Sequence, residues 1–336
     1  MGRARKVLFI QTAFIGDAIL ASSMWESWHA RHPEDELHVC LRSGNQSLFR
    51  NHPFLAGVHV WQKQGRVLLR YTRLLSLGLY LRKMQFDVVI TPHRHASSGI
   101  LARLTAAPAR AAFDQHPLRA WFTHGTNHRF EAGLHETQRN HALLEPWLDN
   151  AELRPPRLYP ATAEALPKGS FGVMAPASQW GTKQWPEDKW VELCDSLSEQ
   201  AGSIILLGGA SDFELLNGIK DKSAHPAVSV CTNFSLLESA AVMKHAQWVI
   251  SNDSGPLHLA SAVDATTLAI FCSTTPDFGF GPMGTRNAII ESTEELPCKP
   301  CGLHGHRTCP KGHFKCGRDI QVSQVLEALN AATQSN

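Results

Sequence analysis

The sequence predicts an α/β protein with parallel β-sheets, and three features carry that prediction. Short apolar runs of strand length alternate with segments of helical periodicity, which is typical of βαβ units. This alternation occurs twice in the 336 residues, once in each half. Between the two series lies a stretch with four prolines and no sustained apolar periodicity, residues 155–170, which is typical of a connection between domains.

Nine apolar runs are predicted to form strands. They lie at residues 6–11, 37–41, 58–61, 86–92, 171–176, 203–209, 228–233, 248–253 and 266–271. We therefore predict an N-terminal Rossmann-like domain at 1–154, a linker at 155–170 and a C-terminal Rossmann-like domain at 171–336. Ligands of open parallel sheets bind beyond the carboxyl ends of the strands, so we expect the two sheets to face a central cleft that holds the substrates.

The composition limits the classes of partner. With 43% hydrophobic residues, and 32 basic against 30 acidic residues, the chain can bury two cores but has no overall field that would attract nucleic acid. The N-terminus resembles a leader peptide, but Gln11 and Asp17 interrupt its apolar run and favour a strand followed by a helix. No stretch approaches the roughly 20 apolar residues of a membrane span. We expect a soluble cytoplasmic protein, with peripheral contact at the inner membrane left open.

The first candidate site residue is Asp17, in the turn between the strand at 6–11 and a helix whose apolar positions recur at intervals of three and four. Gly16 permits a tight turn before it. The turn lacks the G-x-G-x-x-G pattern of dinucleotide-dependent dehydrogenases. A carboxylate here suits a general base, and it equally suits a residue that caps the helix, so the sequence leaves both interpretations open.

A second candidate site lies in the loop 178–186, which follows the strand at 171–176 and precedes a helix. Lys183 and the hydroxyl of Ser178 could hold phosphate oxygens, because lysine is a compact cation and backbone N–H groups at such turns point toward anions. An ordinary surface lysine is the alternative. Trp185 and Pro186 are expected to pack and to start the helix rather than to take part in chemistry.

The segment 251–260, S-N-D-S-G-P-L-H-L-A, is the most specific motif. A strand ends in Asp253, Ser254 and Gly255, a proline then starts a helix, and His258 follows one turn inside it. The N-terminus of that helix offers N–H groups and a positive dipole end to a pyrophosphate. A histidine on an apolar helix is usually structural, but its neighbours here favour contact with a ligand.

Half of the eight cysteines cluster near the C-terminus. Cys298, Cys301, Cys309 and Cys316 are spaced as two short chelating pairs, which is typical of a structural zinc or iron site with tetrahedral thiolate coordination. Free thiols and disulfides are the alternatives. The other four cysteines stand singly in apolar segments, as reduced core cysteines do, which indicates a reducing compartment.

Together these motifs resemble those of glycosyltransferase family 9, the ADP-heptose:lipopolysaccharide heptosyltransferases. The resemblance rests on I-G-D at 15–17, K-x-W-P at 183–186 and D-S-G-x-x-H-L-A at 253–260, and it covers nearly the whole chain. It implies a metal-independent, inverting enzyme of the GT-B fold, with no cofactor required for catalysis. Heptose would pass from ADP-L-glycero-D-manno-heptose to a lipopolysaccharide inner-core acceptor. The N-terminal half would bind the acceptor and the C-terminal half the nucleotide-sugar.

The resemblance also implies a role for each matched residue. Asp17 matches the family's proposed general base, and Lys183 matches the lysine that binds the donor phosphates. Ser178 and Glu214 match positions that contact phosphate and ribose. Four residues match the donor loop around the sugar and the pyrophosphate: Asp253, Ser254, Gly255 and His258. The segments A-P-A-S-Q-W and T-P-H-R-H-A-S-S-G depart from the family's commoner wording, which leaves the acceptor open.

Other interpretations are compatible with the sequence. The same architecture could serve a transferase with another nucleotide-sugar or a protein acceptor, a nucleotide-sugar epimerase, or a binding module without catalysis. A separate feature is the segment 63–83, where Lys63, Arg66, Arg70 and Arg73 recur at helical spacing among Leu, Val and Tyr. Such a helix can dock on an anionic membrane, or it can be a solvated face over a packed core.

Overall fold

Two compact units make up the chain in the computed structural model, which describes residues 3–161, 166, 169–198 and 202–334. The units are Met1–Tyr159 and Pro160–Asn336. Each is built on a six-stranded sheet in which neighbouring strands are parallel. The predicted fold class is therefore confirmed. In the described residues, no helix is both long enough and apolar enough to cross a membrane.

The first unit alternates strands with helices. Its strands are β1 Lys6–Gln11, β2 Glu36–Arg42, β3 Leu55–Trp61, β4 Val88–Thr91, β5 Ala109–Phe113 and β6 His124–Thr126. Its helices are α1 Ile15–Arg31, α2 Val67–Lys83, α3 Ala96–Leu104 and α4 Glu136–His141. The strand order is β3-β2-β1-β4-β5-β6, so the order reverses between β1 and β4. This reversal is the topological switch point of a doubly wound sheet, beside which such folds bind their ligands.

The aromatic core of the first unit fixes the start of α1. Trp25 and Trp28 pack against Phe9 of β1, with ring centroids 5.8 and 6.0 Å apart. Residues 6–31 thus contain a strand and a helix that pack against each other. This is the arrangement that the sequence favoured for this segment. Because α1 is anchored along its buried length, its first turn is held at the carboxyl end of β1.

The second unit repeats this topology. Its strands are β7 Phe171–Ala175, β8 Ser203–Leu207, β9 Val228–Cys231, β10 Val249–Asn252, β11 Thr267–Phe271 and β12 Asn287–Glu291. Its helices are α5 Glu187–Ser196, α6 Phe213–Lys222, α7 Leu236–His245, α8 Gly255–Ala262, α9 Lys315–Arg318 and α10 Val322–Gln334. The order β12-β11-β10-β7-β8-β9 places the reversal between β10 and β7.

Each of the nine predicted strands overlaps an observed strand, and three observed strands were missed. β5 reads A-R-A-A-F, with no β-branched residue, and β6 has only three residues. β12 lies at a sheet edge, where alternate residues face solvent. All three lack the continuous apolar run by which a buried parallel strand is recognised.

The structure adds detail to two segments that the sequence singled out, 155–170 and 63–83. Part of the predicted linker 155–170 packs on α1, since the backbone N–H of Arg157 donates to Ser22 Oγ and the Tyr159 hydroxyl donates to Glu26. Residues 162–165 and 167–168 of that linker lie outside the described residues. In the basic segment 63–83, the helix begins only at Val67, because Gly65 adopts a left-handed φ of 104°.

Candidate active site

The predicted site residues follow the strands that flank the two switch points. In the first unit, Asp17 lies just after β1. In the second unit, the loop that contains Lys183 follows β7, and Asp253 follows β10. Because the strands of each sheet are parallel, all of these loops emerge at the carboxyl edge of their own sheet.

Lys183 and Asp253 form a partly buried ion pair. Lys183 Nζ lies 2.6 Å from Asp253 Oδ2, and the two side chains are 13% and 7% exposed. The hydroxyl of Thr274, just after β11, donates to the same carboxylate oxygen at 2.7 Å. The structure therefore brings together two residues that the sequence assigned to separate motifs, and it places a cation with little solvent around it beside the switch point.

A buried asparagine fixes the loop that carries Lys183. The Asn252 side chain donates to the carbonyl oxygen of Pro176 at 2.5 Å and accepts from the backbone N–H of Trp185 at 3.1 Å. The Trp185 indole donates in turn to the Ile320 carbonyl at 3.2 Å and packs against Trp190. Trp185 therefore has the packing role that the sequence predicted for it.

The first turn of α8 completes this side of the site. Ser254 is the residue before the helix, Pro256 lies in its first turn, and His258 is buried. The Ser254 hydroxyl oxygen is buried and has no hydrogen-bond partner within the described residues. The first turn of a helix also leaves backbone N–H groups without intrahelical partners. A hydroxyl and a set of N–H groups at one helix start can bind an anion.

The remaining two donor-side predictions have weaker structural support. Ser178 is half-buried, and its backbone carbonyl accepts from the Gln184 side chain at 2.7 Å. Glu214 is exposed in the first turn of α6, which follows β8 at the same edge of the sheet. Ser178 thus follows β7 and Glu214 follows the neighbouring strand β8, both at the carboxyl edge of the sheet.

The cysteine-rich segment packs directly on the Lys183 loop. Thr182 is buried, and its hydroxyl accepts from the His306 backbone N–H at 2.8 Å and from Ser273 Oγ at 3.0 Å. It also donates to the His306 carbonyl at 3.1 Å. A Cβ on Gly305, whose φ is 73°, would lie 2.8 Å from the Thr182 hydroxyl oxygen. Close packing at this position therefore requires glycine.

The predicted metal site is not assembled in the structure. Among the described residues, no group of three or more His, Cys, Asp or Glu side chains is arranged to hold a metal ion. Cys298, Cys301, Cys309 and Cys316 are free thiols. The Cys301 thiol donates to the Cys298 carbonyl at 3.0 Å, and burial raises the pKa of Cys316 to about 11. These side chains do not fit a zinc or iron ion as placed, and the free-thiol alternative describes them.

Asp17 is the candidate base in the first unit. Its Oδ2 accepts from the backbone N–H of Phe14 at 3.2 Å, so it does cap α1. Burial raises the pKa of Asp17 to about 6, and the negative charge of Glu136 adds to the rise, while the Phe14 N–H bond and Arg94 act against it. A carboxylate poised near neutral pH at a switch point is suited to accept a proton.

Polar groups around β1 and β4 form the rest of this site. The Lys63 ammonium donates to the Thr12 carbonyl, and Thr12 Oγ1 lies 3.1 Å from His93 Nδ1. Burial, reinforced by the charge of Lys63, lowers the pKa of His93 to about 3. Burial also lowers the pKa of Lys63 to about 8, with contributions from Arg42 and Arg70. His93 is therefore neutral at pH 7, and Lys63 keeps most of its charge.

Doubly wound sheets that occur twice in one chain, with polar loops at both switch points, are the architecture of GT-B glycosyltransferases. Solved structures share this fold. The chain belongs to glycosyltransferase family 9, the heptosyltransferase family, whose model matches residues 74–311.

Proteins with similar sequences or folds support this assignment, and they match the chain over most of their length. Lipopolysaccharide heptosyltransferase 1 of Pseudomonas aeruginosa is 26% identical over 314 residues, which cover 88% of this chain and 86% of that protein. The ADP-heptose lipopolysaccharide heptosyltransferase II of E. coli has the same fold, with a TM-score of 0.80, 19% identity and 98% of both chains covered. A family 9 glycosyltransferase from Veillonella parvula superposes with a TM-score of 0.87, 19% identity and coverage of 100% and 99%.

Three side chains of the site in the second unit were not predicted: Asn252, Thr274 and Thr182. Asn252 lies inside the recognised segment 251–260, so its position next to Asp253 was an available signal. Thr274 and Thr182 carry no comparable signal, because a lone threonine after a strand or in a loop is common. Their roles follow only from which strands are neighbours in the sheet.

The hydroxyl of Thr182 can be tested through stability. Thr182→Val keeps the shape but leaves the His306 N–H and the Ser273 hydroxyl without their acceptor, so we expect the free energy of unfolding to fall by about 1–3 kcal/mol. Chemical denaturation measures it. Thr182→Ser keeps the hydroxyl and is the matched control. A Val variant as stable as the Ser variant would show that these hydrogen bonds do not hold the segment.

Proposed function

We propose that this protein transfers heptose from ADP-L-glycero-D-manno-heptose to a lipopolysaccharide inner-core acceptor, with inversion at the anomeric carbon. The observation that carries the proposal is the Lys183–Asp253 pair beside the start of α8, because it sets a cation and a helix N-terminus at one switch point. Membership of the heptosyltransferase family supports the sugar, and the ADP-heptose enzyme with the same fold supports the nucleotide.

The donor binds through its diphosphate in the second unit. Lys183 and the first turn of α8 contact the phosphate oxygens, where both supply positive potential. Ser254 donates its hydroxyl, which has no other partner within the described residues, and His258 lies in the same turn. When Lys183 turns to phosphate, the Asp253 carboxylate can accept hydrogen bonds from sugar hydroxyls while Thr274 holds it in place. Ser178 and Glu214 contact phosphate and ribose in this proposal.

The reaction is a single displacement. Asp17 accepts the proton of an acceptor hydroxyl, whose oxygen attacks the anomeric carbon of the heptose. The bond from that carbon to the diphosphate oxygen breaks, and ADP leaves with the electron pair. Lys183 and the α8 N-terminus stabilise the charge that develops on the leaving diphosphate. Attack opposite to the leaving group gives inversion.

The acceptor and the location belong to the same proposal. Arg94 places positive charge near Asp17, and the Lys63 ammonium contacts Thr12 in the loop before it, which suits an anionic acceptor such as a lipopolysaccharide core. The location is the cytoplasm, at the face of the inner membrane. All eight cysteines lie in the described residues and are free thiols, which is typical of proteins in a reducing compartment.

A donor panel tests the proposed function directly. The protein is incubated with a deacylated core acceptor and either ADP-heptose, ADP-glucose or UDP-N-acetylglucosamine, and the products are analysed by mass spectrometry. We expect the acceptor to gain one heptose, with ADP released. Transfer from another donor would support a different transferase. Conversion of a nucleotide-sugar into its epimer without transfer would support an epimerase.

Donor binding depends on Lys183 in this account. A charge-assisted hydrogen bond contributes about 1.5–3 kcal/mol, so Lys183→Ala should weaken ADP binding by roughly 10-fold to 150-fold. Isothermal titration with ADP measures this change. Lys189→Ala is the matched control, because Lys189 lies in α5 and pairs with Glu192. Equal ADP affinity in the two variants would rule out the phosphate contact.

The role of Asp17 is separated from helix capping by Asp17→Asn. The amide keeps the size and a hydrogen-bond acceptor for the Phe14 N–H but removes the base, so turnover should fall by roughly 10²–10⁴. ADP binding should not change. If Asp17 only caps the helix, the Asn variant should lose about 1 kcal/mol of stability or less, and its turnover per folded molecule should not change. Near-normal turnover of the folded variant would reject the mechanism.

The pH dependence follows from the raised pKa of Asp17. As the base must be ionised, kcat/KM should rise with pH up to about 6 and level off above it. Stability should move in the opposite direction. The protonated carboxyl favours the fold fully below its ordinary pKa of 3.8, and this contribution is lost as pH rises through about 6. Asp17→Asn should therefore be at least as stable as wild type at pH 7. A kcat/KM profile flat between pH 5 and pH 7 would contradict the assignment.

A further inference from the structure

Helix α2 exposes an unusual amount of apolar surface. Thirteen large hydrophobic side chains are exposed in the described residues, and seven of them belong to this one helix. They are Val67, Leu68, Leu69, Tyr71, Leu75, Leu79 and Tyr80. Single exposed hydrophobic residues are normal on a protein surface, but a concentration of this kind marks a surface that contacts something else.

The helix packs on its own unit along a narrow strip. Its buried residues are Leu74, Gly78 and Leu81, and Gly78 approaches α3 so closely that a Cβ there would lie 2.4 Å from Leu104 Cδ1. The outward stripe consists of Leu68, Tyr71, Leu75 and Leu79, which recur at intervals of three and four and so lie on one face. Their exposed fractions are 78%, 56%, 48% and 54%.

Positive charge lies along the same helix. At 3.6 residues per turn, Arg82 lies on the stripe face and Lys83 beside it, whereas Arg70 and Arg73 lie on the opposite side. Arg66, Arg70, Arg73, Arg82 and Lys83 are all exposed on α2 or immediately before it. The helix contains no Asp or Glu. Residues 37–113 as a whole contain eleven Lys or Arg and a single acidic residue, Asp87, although the full chain has a net charge of only +2. The excess of positive charge is therefore local to the part of the chain that carries the exposed leucines.

We propose that the outward stripe of α2 docks on the anionic surface of a lipid bilayer. The leucines of the stripe would insert below the phosphate groups, with Arg82 and Lys83 at the level of those phosphates. Arg70 and Arg73, on the other side of the helix, would add to the attraction at longer range. A second copy of this face would bring like charges together. A nucleic acid would satisfy the charges but leave four exposed apolar side chains in water. The proposal concerns where the protein binds and does not depend on heptose transfer.

Vesicle co-sedimentation of the full-length protein tests the docking surface. Wild type should bind vesicles of phosphatidylethanolamine and phosphatidylglycerol, and bind vesicles of phosphatidylethanolamine and phosphatidylcholine at least tenfold more weakly. Raising the salt should release it from the anionic vesicles. The double variant Leu68→Gln/Leu75→Gln should reduce the partition coefficient by about tenfold or more, because two inserted side chains are lost. Arg82→Glu/Lys83→Glu should have a similar effect.

Ser76→Gln is the matched control, since Ser76 is an exposed polar residue of the same helix that lies outside the stripe. It should bind as wild type does. All changed positions are exposed, and circular dichroism with thermal melting confirms that each variant folds. Equal binding by the stripe variant and the control would overturn the proposal, as would wild-type binding that ignores lipid charge. Dimerisation of wild type that the stripe variant loses would instead assign the face to self-association and reject the membrane.

Discussion

The reversal of strand order at the centre of each sheet is the constraint on which the rest of the structure depends. Between β1 and β4, and again between β10 and β7, consecutive connections run to opposite sides of the sheet. The loops after these strands therefore diverge and leave a crevice at the carboxyl edge. Asp17 and His93 follow the first pair of strands, while Lys183 and Asp253 follow the second pair. The topology selects which loops can carry chemistry before any side chain is considered.

The charged side chains at both switch points are largely buried, so their neighbours strongly affect them. Lys183 and Asp253 are both largely removed from water and neutralise each other, so the phosphate that we propose to bind here would have to replace one strong interaction by another. At Asp17, by contrast, burial and the negative charge of Glu136 both favour the neutral carboxyl and raise its pKa. Burial acts to raise the pKa of Glu136, but the nearby His128 and Arg139 together outweigh it and lower the pKa, so Glu136 stays ionised. The displacement that we propose needs a carboxylate whose raised pKa lets it accept a proton, and a cation that can exchange its partner for a phosphate.

The sequence predicted what has a strong local pattern and missed what depends on neighbours in space. Nine strands and the loops at their carboxyl ends were predictable, because buried parallel strands are continuous apolar runs. β5 was not, because A-R-A-A-F has no such run. Lys183 and Asp253 were both predicted, but their pairing was not, since it requires β7 and β10 to be adjacent. The cysteine spacing could not separate a metal site from thiols that bond to backbone groups. The exposure of α2 likewise depends on how little of it α3 covers.

The central claim is that the donor diphosphate binds at the carboxyl edge of the second sheet, at the Lys183 loop and the start of α8. Hydrogen–deuterium exchange with mass spectrometry, with and without saturating ADP, measures this directly, because amides that bind or lie beneath a ligand exchange more slowly. We predict slower exchange in residues 178–183 and 253–258, with exchange in β8, β9 and the whole first unit unchanged. Protection confined to the first unit around Asp17, or unchanged exchange in both donor-side segments under saturating ADP, would contradict it.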